Sequence, residues 1–148
     1  MGDLRLRSVT LQMSVLAALA IASLACCSCR PRAEQPLSPV TGRVLVNRQP
    51  AERALVVFHP IGDANAVRPH GEVGPDGSFT LSTYGVNDGA PAGDYRVTVE
   101  WWLASGRRGD DSPPANRLPA RYASPQSSGL TAHVGAGPTE LRSFELTR

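Results

Sequence analysis

Pro91-Ala92-Gly93-Asp94-Tyr95-Arg96-Val97-Thr98-Val99-Glu100-Trp101-Trp102 decides the fold class of this 148-residue chain. From Tyr95 onward Tyr95, Val97, Val99 and Trp101 alternate with Arg96, Thr98, Glu100 and Trp102. Successive side chains of an extended strand point to opposite faces, so this alternation predicts a strand with one buried and one polar side. Gly93 is expected at positive φ just before it. Tyr95 is expected to put its ring in the core and its hydroxyl on a loop carbonyl.

Working outward, the same short periods recur between Gly, Pro, Asn and Asp signals, and no window holds a 3.6-residue period over ten residues. Upstream, Val40–Asn47 puts Val40, Val44 and Val46 on one side and turns at Asn47-Arg48-Gln49-Pro50. Ala54–His59 is apolar on both faces, which predicts a central strand, and Pro60-Ile61-Gly62-Asp63 ends it. Pro69–Val73 and Ser78–Thr83 flank Gly74-Pro75-Asp76-Gly77 and predict a hairpin, since proline presets φ and glycine accepts positive φ. Downstream come a polar, proline-bearing insert at 106–120 and two further strands, Leu130–Val134 and Leu141–Leu146. The expectation is an all-β fold, a single antiparallel seven-stranded β-sandwich, with a closed barrel as the alternative. Its core would be Val44, Val46, Val56, Phe58, Phe79, Leu81, Tyr95, Val97, Val99, Trp101, Phe144 and Leu146.

The chain's first 29 residues carry a different message. Arg5 and Arg7 precede an apolar stretch, Val9 to Ala25, that stops at Leu24-Ala25-Cys26-Cys27-Ser28-Cys29. A basic start, an apolar middle and a small residue at the end describe a secretory signal helix. The stretch is short and polar-spotted for a spanning helix, which needs about 20 apolar residues. Ala22-Ser23-Leu24-Ala25-Cys26 resembles a lipobox, which implies cleavage before a lipidated cysteine: Cys26, with Cys27 as the alternative. The expected organisation is a lipoprotein signal peptide at 1–25, a lipidated cysteine and proline-rich tether at 26–39, and one folded domain at 40–148. Several acyl chains of the palmitate type hold a protein on a membrane where one chain does not. The expected location is therefore exported and membrane-anchored, at the periplasmic or outer-membrane face.

Composition narrows the partners. The 15 basic residues, all arginine, nearly balance 13 acids, and no basic cluster exceeds Arg107-Arg108, which speaks against a nucleic-acid partner. No cysteine follows Cys29, so the domain has no disulfide of its own.

The stretches Val40-Thr41-Gly42-Arg43-Val44, Val57-Phe58-His59-Pro60, Asp76-Gly77-Ser78-Phe79, Pro91-Ala92-Gly93-Asp94-Tyr95 and Leu118-Pro119-Ala120-Arg121-Tyr122 are similar to the carboxypeptidase-regulatory-like, transthyretin-like (prealbumin-like) domain family. Within it the chain most resembles small planctomycete-type lipoproteins. The resemblance implies the sandwich fold and no particular activity. Gly42 is expected where a neighbouring side chain crosses its strand.

Catalytic parts are sparse. His59, His70 and His133 are widely spaced, and Tyr84, Tyr95 and Tyr122 fall on separate segments. The chain lacks G-x-S-x-G and the closing Tyr-Arg-Gly-Ser of the hydroxyisourate hydrolase branch. Asp63, Asp88 and Asp110-Asp111 lack the spacing of a calcium loop. No catalytic residue, metal or organic cofactor is expected. Trp102 lies on the polar side of its strand. With Arg107, Arg108, Arg121 and Tyr122 it forms a candidate binding face, unless the 106–122 insert folds back over the ring. Two functions follow: a non-catalytic envelope lipoprotein whose module contacts other envelope proteins, or a glycan- or peptide-binding module built on Trp102.

Overall fold

The computed structural model describes residues 34–63, 65–104 and 111–148. The expected signal helix and tether start, Cys26, Cys27, Arg107 and Arg108 lie outside the described residues. In chain order the strands are β1 (Leu37–Ser38), β2 (Val40–Val46), β3 (Gln49–Pro50), β4 (Leu55–Pro60), β5 (His70–Glu72), β6 (Ser78–Thr80) and β7 (Ala90–Pro91). They continue as β8 (Gly93–Glu100), β9 (Trp102–Leu103), β10 (Ala115–Asn116), β11 (Leu130–Val134), β12 (Thr139–Glu140) and β13 (Phe144–Leu146). One 3-10 turn, Ala120–Ala123, is the helical element among the described residues. The chain is all-β, and its strands form several sheets that do not close into a barrel.

The quoted stretch follows its predicted alternation in part: the strand ends at Glu100 rather than Trp102, and Thr98, on the side expected to be polar, is buried beside Val97 and Val99. In β8, Tyr95, Val97 and Val99 are buried while Asp94 and Arg96 are exposed. β8 is the second strand of a four-stranded sheet ordered β11-β8-β4-β5, antiparallel throughout. β4 is interior to that sheet, the position its apolar run called for, although Leu55 on its outer side is exposed. The second sheet is organised on β2, whose Val40, Val44 and Val46 face inward. β6 and β3 pair with β2 antiparallel, whereas β12 and β13 pair with it in parallel. Four aromatic rings join the two sheets: Phe58 and Tyr95 from the first, Phe79 and Phe144 from the second.

Four local expectations are met. The β2–β3 turn, Asn47-Arg48, has both residues at positive φ (50° and 65°), as a two-residue hairpin turn requires. A Cβ on Gly42 would stand 2.6 Å from Phe79 Cζ, so the Phe79 ring does cross β2 there. Gly93 takes φ 151°. Tyr95 donates its hydroxyl to the Pro91 carbonyl at 2.7 Å, and burial pushes the phenol pKa up.

Other expectations need correction. The seven expected runs become thirteen short strands among the described residues, and the second sheet is mixed rather than antiparallel. Leu141–Leu146 is not one strand: the edge along β2 is broken between β12 and β13, with the register advancing by one residue. That is the count of a bulge, and Leu141 N–H still reaches the Thr41 carbonyl at 2.8 Å. The Gly74–Gly77 turn forms, with Gly77 N–H donating to the Gly74 carbonyl at 2.9 Å, but its arms part into different sheets. They touch again where His70 and Ser82 exchange backbone hydrogen bonds of 2.8 and 3.0 Å. Gly71 allows the crossing, because a Cβ there would lie 2.6 Å from the Thr80 carbonyl oxygen.

The expected tether boundary at Pro39 also moves. The folded unit starts at Gln35, and β1 pairs with β7 antiparallel. The 82–89 loop secures this strand. Asp88 Oδ1 accepts from Thr83 N–H, and Asp88 Oδ2 accepts from the N–H groups of Tyr84 and Gly85 at 2.9 and 2.6 Å. Desolvation pushes the Asp88 carboxyl upward, but these three donors outweigh it and hold it below the ordinary carboxylate range. A depressed carboxylate contributes stability that is present above its unfolded pKa and lost as pH falls through its folded pKa. The domain is therefore expected to lose stability progressively below the ordinary carboxylate pKa. Asp88→Asn should lower the melting temperature by a few degrees at neutral pH and flatten this acid dependence. Thermal melts from pH 2 to 7 check both.

Candidate functional site

Of the expected Trp102 face, the described residues include Trp102, Arg121 and Tyr122. Trp102 opens β9, which pairs with β10 in the register Trp102↔Asn116, so the insert does return to this strand. Trp102 remains 54% exposed, with its Nε1–H donated to Glu100 Oε2 at 2.6 Å. Asn116 braces the hairpin by accepting from the N–H groups of Trp101 and Leu118 at 3.0 and 3.1 Å. Trp101, on the opposite side of the strand, packs against the core and donates its Nε1–H to the Glu52 carbonyl at 2.8 Å.

Arg121 and Tyr122 serve the C-terminus instead. Tyr122 is buried, and its hydroxyl accepts from Arg121 Nη2 at 3.0 Å and from Thr147 N–H at 3.3 Å. The Arg121 guanidinium also lies 4.6 Å from the centre of the Tyr122 ring and reaches Thr147 Oγ1 at 3.2 Å. The hydrogen bond from Arg121 holds the phenol below the usual tyrosine range despite its burial. The 3-10 turn thus clamps the residues after β13, and Tyr122 belongs to the hydrophobic core cluster.

A concave site forms elsewhere, where β4 ends and β8 begins. His59 and Arg96 are cross-strand partners on the outer side of this sheet. The Ile61–Pro69 loop closes over them, fixed by Ile61 N–H to the Asp94 carbonyl at 2.9 Å and Phe58 N–H to the Pro69 carbonyl at 2.8 Å. It brings Arg68 beside His59, and Pro125 and Gln126 complete the rim. The cavity holds about 450 Å³, within the several hundred Å³ usual for small-molecule sites. His59 Nε2 shares a 2.9 Å hydrogen bond with Thr98 Oγ1. Burial first, and the Arg68 charge second, lower the imidazole pKa, so His59 is neutral at neutral pH.

The other histidines do not join it. His133 Nδ1 lies 2.7 Å from Asp94 Oδ1 on the exposed surface, and His70 sits on β5. Among the described residues no three His, Cys, Asp or Glu side chains gather as a metal-ligand set, and no helix is long and apolar enough to cross a membrane. Sequence reading missed the His59, Arg68 and Arg96 grouping because its members are spread over two strands and a loop. The offset that seats His59 opposite Arg96 is a tertiary fact.

No family model matches the chain, and no curated protein matches it. Among solved structures it is similar to a DUF3823 family protein from Parabacteroides merdae ATCC 43184, with 17% identity and a TM-score of 0.37. That similarity covers 77% of this chain and 46% of the other, so the chain spans under half of that protein's length.

Proposed function

We propose that this chain is an exported bacterial lipoprotein, anchored through Cys26, whose transthyretin-like β-sandwich is a non-catalytic interaction or structural module of the cell envelope. The observation that carries the reading is the series Arg5, Arg7, apolar stretch and Leu24-Ala25-Cys26, placed shortly before a folded unit that starts at Gln35. Two larger sheets sharing one aromatic core support the sandwich. Mass spectrometry of the native protein is expected to find an acylated N-terminal Cys26 and no residues 1–25. Cys26→Ala should accumulate as uncleaved precursor. An unmodified chain starting elsewhere would overturn the anchor.

A second reading, a glycan- or peptide-binding module, is favoured by one feature: Trp102 stays exposed on a braced hairpin. Aromatic faces of this kind suit sugar rings and peptide side chains. Under this reading Trp102→Ala abolishes retention on immobilised envelope glycan or peptide without changing the melting temperature. Equal retention of variant and wild type would rule it out.

A further inference from the structure

Two guanidinium groups, those of Arg68 and Arg96, share the cavity between β4, β8 and the 61–69 loop. Arg68 and Arg96 both line it, and among the described residues neither makes an ion pair. Two carboxylates close by in the fold each have a partner of their own and keep their charge. Asp94, two residues from Arg96 on the same side of β8, is turned to His133 at 2.7 Å. Asp63, on the cavity wall, accepts the Asn65 N–H at 3.0 Å and so closes its own turn. Thr98 occupies Nε2 of His59. The opposite wall is held in place, since Ser128 N–H bonds the Ser124 carbonyl at 2.9 Å and Ser124 Oγ bonds Gln126 Oε1 at 2.9 Å. Pro60, Ile61 and Pro125 give the rest of the space an apolar lining.

We propose that this cavity binds an anionic small molecule, gripping its oxyanion group between Arg68 and Arg96 while the apolar lining takes the body of the ligand. Guanidinium groups present planar N–H forks that match phosphate, sulfate and carboxylate oxygens. The two come from a strand and from a loop fixed at both ends, so their backbones are positioned before the ligand arrives. The site is distinct from Trp102 and requires neither the lipid anchor nor the hairpin.

His59 reports occupancy. The charged groups facing it are Arg68 from the loop, Arg96 from β8 and Asp63 at the wall, and Arg68 disfavours its protonation. An anion at Arg68 offsets that charge, so the imidazole titrates at higher pH with ligand than without. By the same linkage the anion binds more tightly as pH falls through the His59 titration.

The test uses the full chain in a non-ionic detergent, titrated with inorganic phosphate, sulfate and acetate against sodium chloride at matched ionic strength. Imidazole and arginine resonances are followed by NMR. At least one oxyanion is expected to shift the His59 signals saturably and raise the pH at which His59 titrates. Arg68→Gln and Arg96→Gln should each weaken that anion about tenfold. Both side chains are exposed, so these variants keep the wild-type melting temperature, which circular dichroism verifies. Shifts no larger than those caused by chloride, or an affinity unchanged in Arg96→Gln, would overturn the site. The failure of membrane anchoring would leave it untouched. Comparing phosphate and sulfate with acetate identifies which oxyanion the ligand carries.

Discussion

Phe58→Ala is expected to cost about 3–5 kcal/mol of folding stability, the range for truncating a buried aromatic. Phe58 is fully buried on β4, and its ring meets Tyr95 at 5.6 Å, Phe79 at 6.3 Å and Phe144 at 6.4 Å between centroids. Edge-on and tilted pairs of this kind add about 0.5–1.5 kcal/mol each beyond the area they bury. Tyr95 shares its sheet, while Phe79 and Phe144 belong to the other, so one truncation loosens the packing between layers. A domain of ordinary stability has about 5–15 kcal/mol in total, so the variant should sit near the edge of folding at 37 °C. Urea unfolding measures the loss. Val86→Ala is the control: at 89% exposed it should stay within about 0.5 kcal/mol of wild type. A Phe58→Ala midpoint equal to that of Val86→Ala would refute the aromatic cluster as the centre of the core.

The second large effect comes from adding a single carbon. Gly89 has φ 96°, a conformation that side-chain-bearing residues rarely adopt, and a Cβ placed there would collide with the Ser38 carbonyl. The obstacle is backbone on both sides, because Ser38 is paired in β1 and Gly89 N–H donates to the Leu81 carbonyl at 2.9 Å. A rotamer change cannot relieve the contact. Gly89→Ala therefore combines backbone strain of about 1–3 kcal/mol with overpacking of about 1–3 kcal/mol. The expected outcome is detachment of β1 from β7. Amide exchange at Ser38 and Ala90 should rise far more than in the β4–β8 ladder. Uniform protection across both regions would show that the 82–89 loop does not hold β1.

What could be read in the sequence was local. Alternation over Tyr95–Trp102 gave β8 its faces, and Val40, Val44 and Val46 marked the inner side of β2. Pro75-Asp76-Gly77 identified a turn, because turn chemistry depends on neighbouring residues. It could not say which sheet would receive each arm, since partner choice is set by packing between segments far apart in the chain. Leu37–Ser38 looked like spacer because prolines flank it. Pro36 and Pro39 are compatible with a short strand at a sheet edge, where a missing N–H is tolerated. The candidate sites follow the same rule. Trp102 on the polar side of its strand was visible from the alternation alone. Tyr122 was misplaced because its burial depends on Arg121 and on Thr147, at the other end of the last strand.

The parallel contact of β13 with β2 sets the order in which this protein can be made. Val44 lies beside Phe144, about a hundred residues later in the chain. The second sheet is therefore completed by a strand synthesised about a hundred residues after β2. Closing so large a loop costs entropy before any contact repays it, so such folds assemble in milliseconds to seconds rather than microseconds. Until Leu146 emerges, the inner side of β2 lacks Phe144, and one edge of its backbone has no partner. A truncation from Phe144 onward would remove both of that closing strand's inward side chains, Phe144 and Leu146, and its effect would be felt at the first strands of the domain.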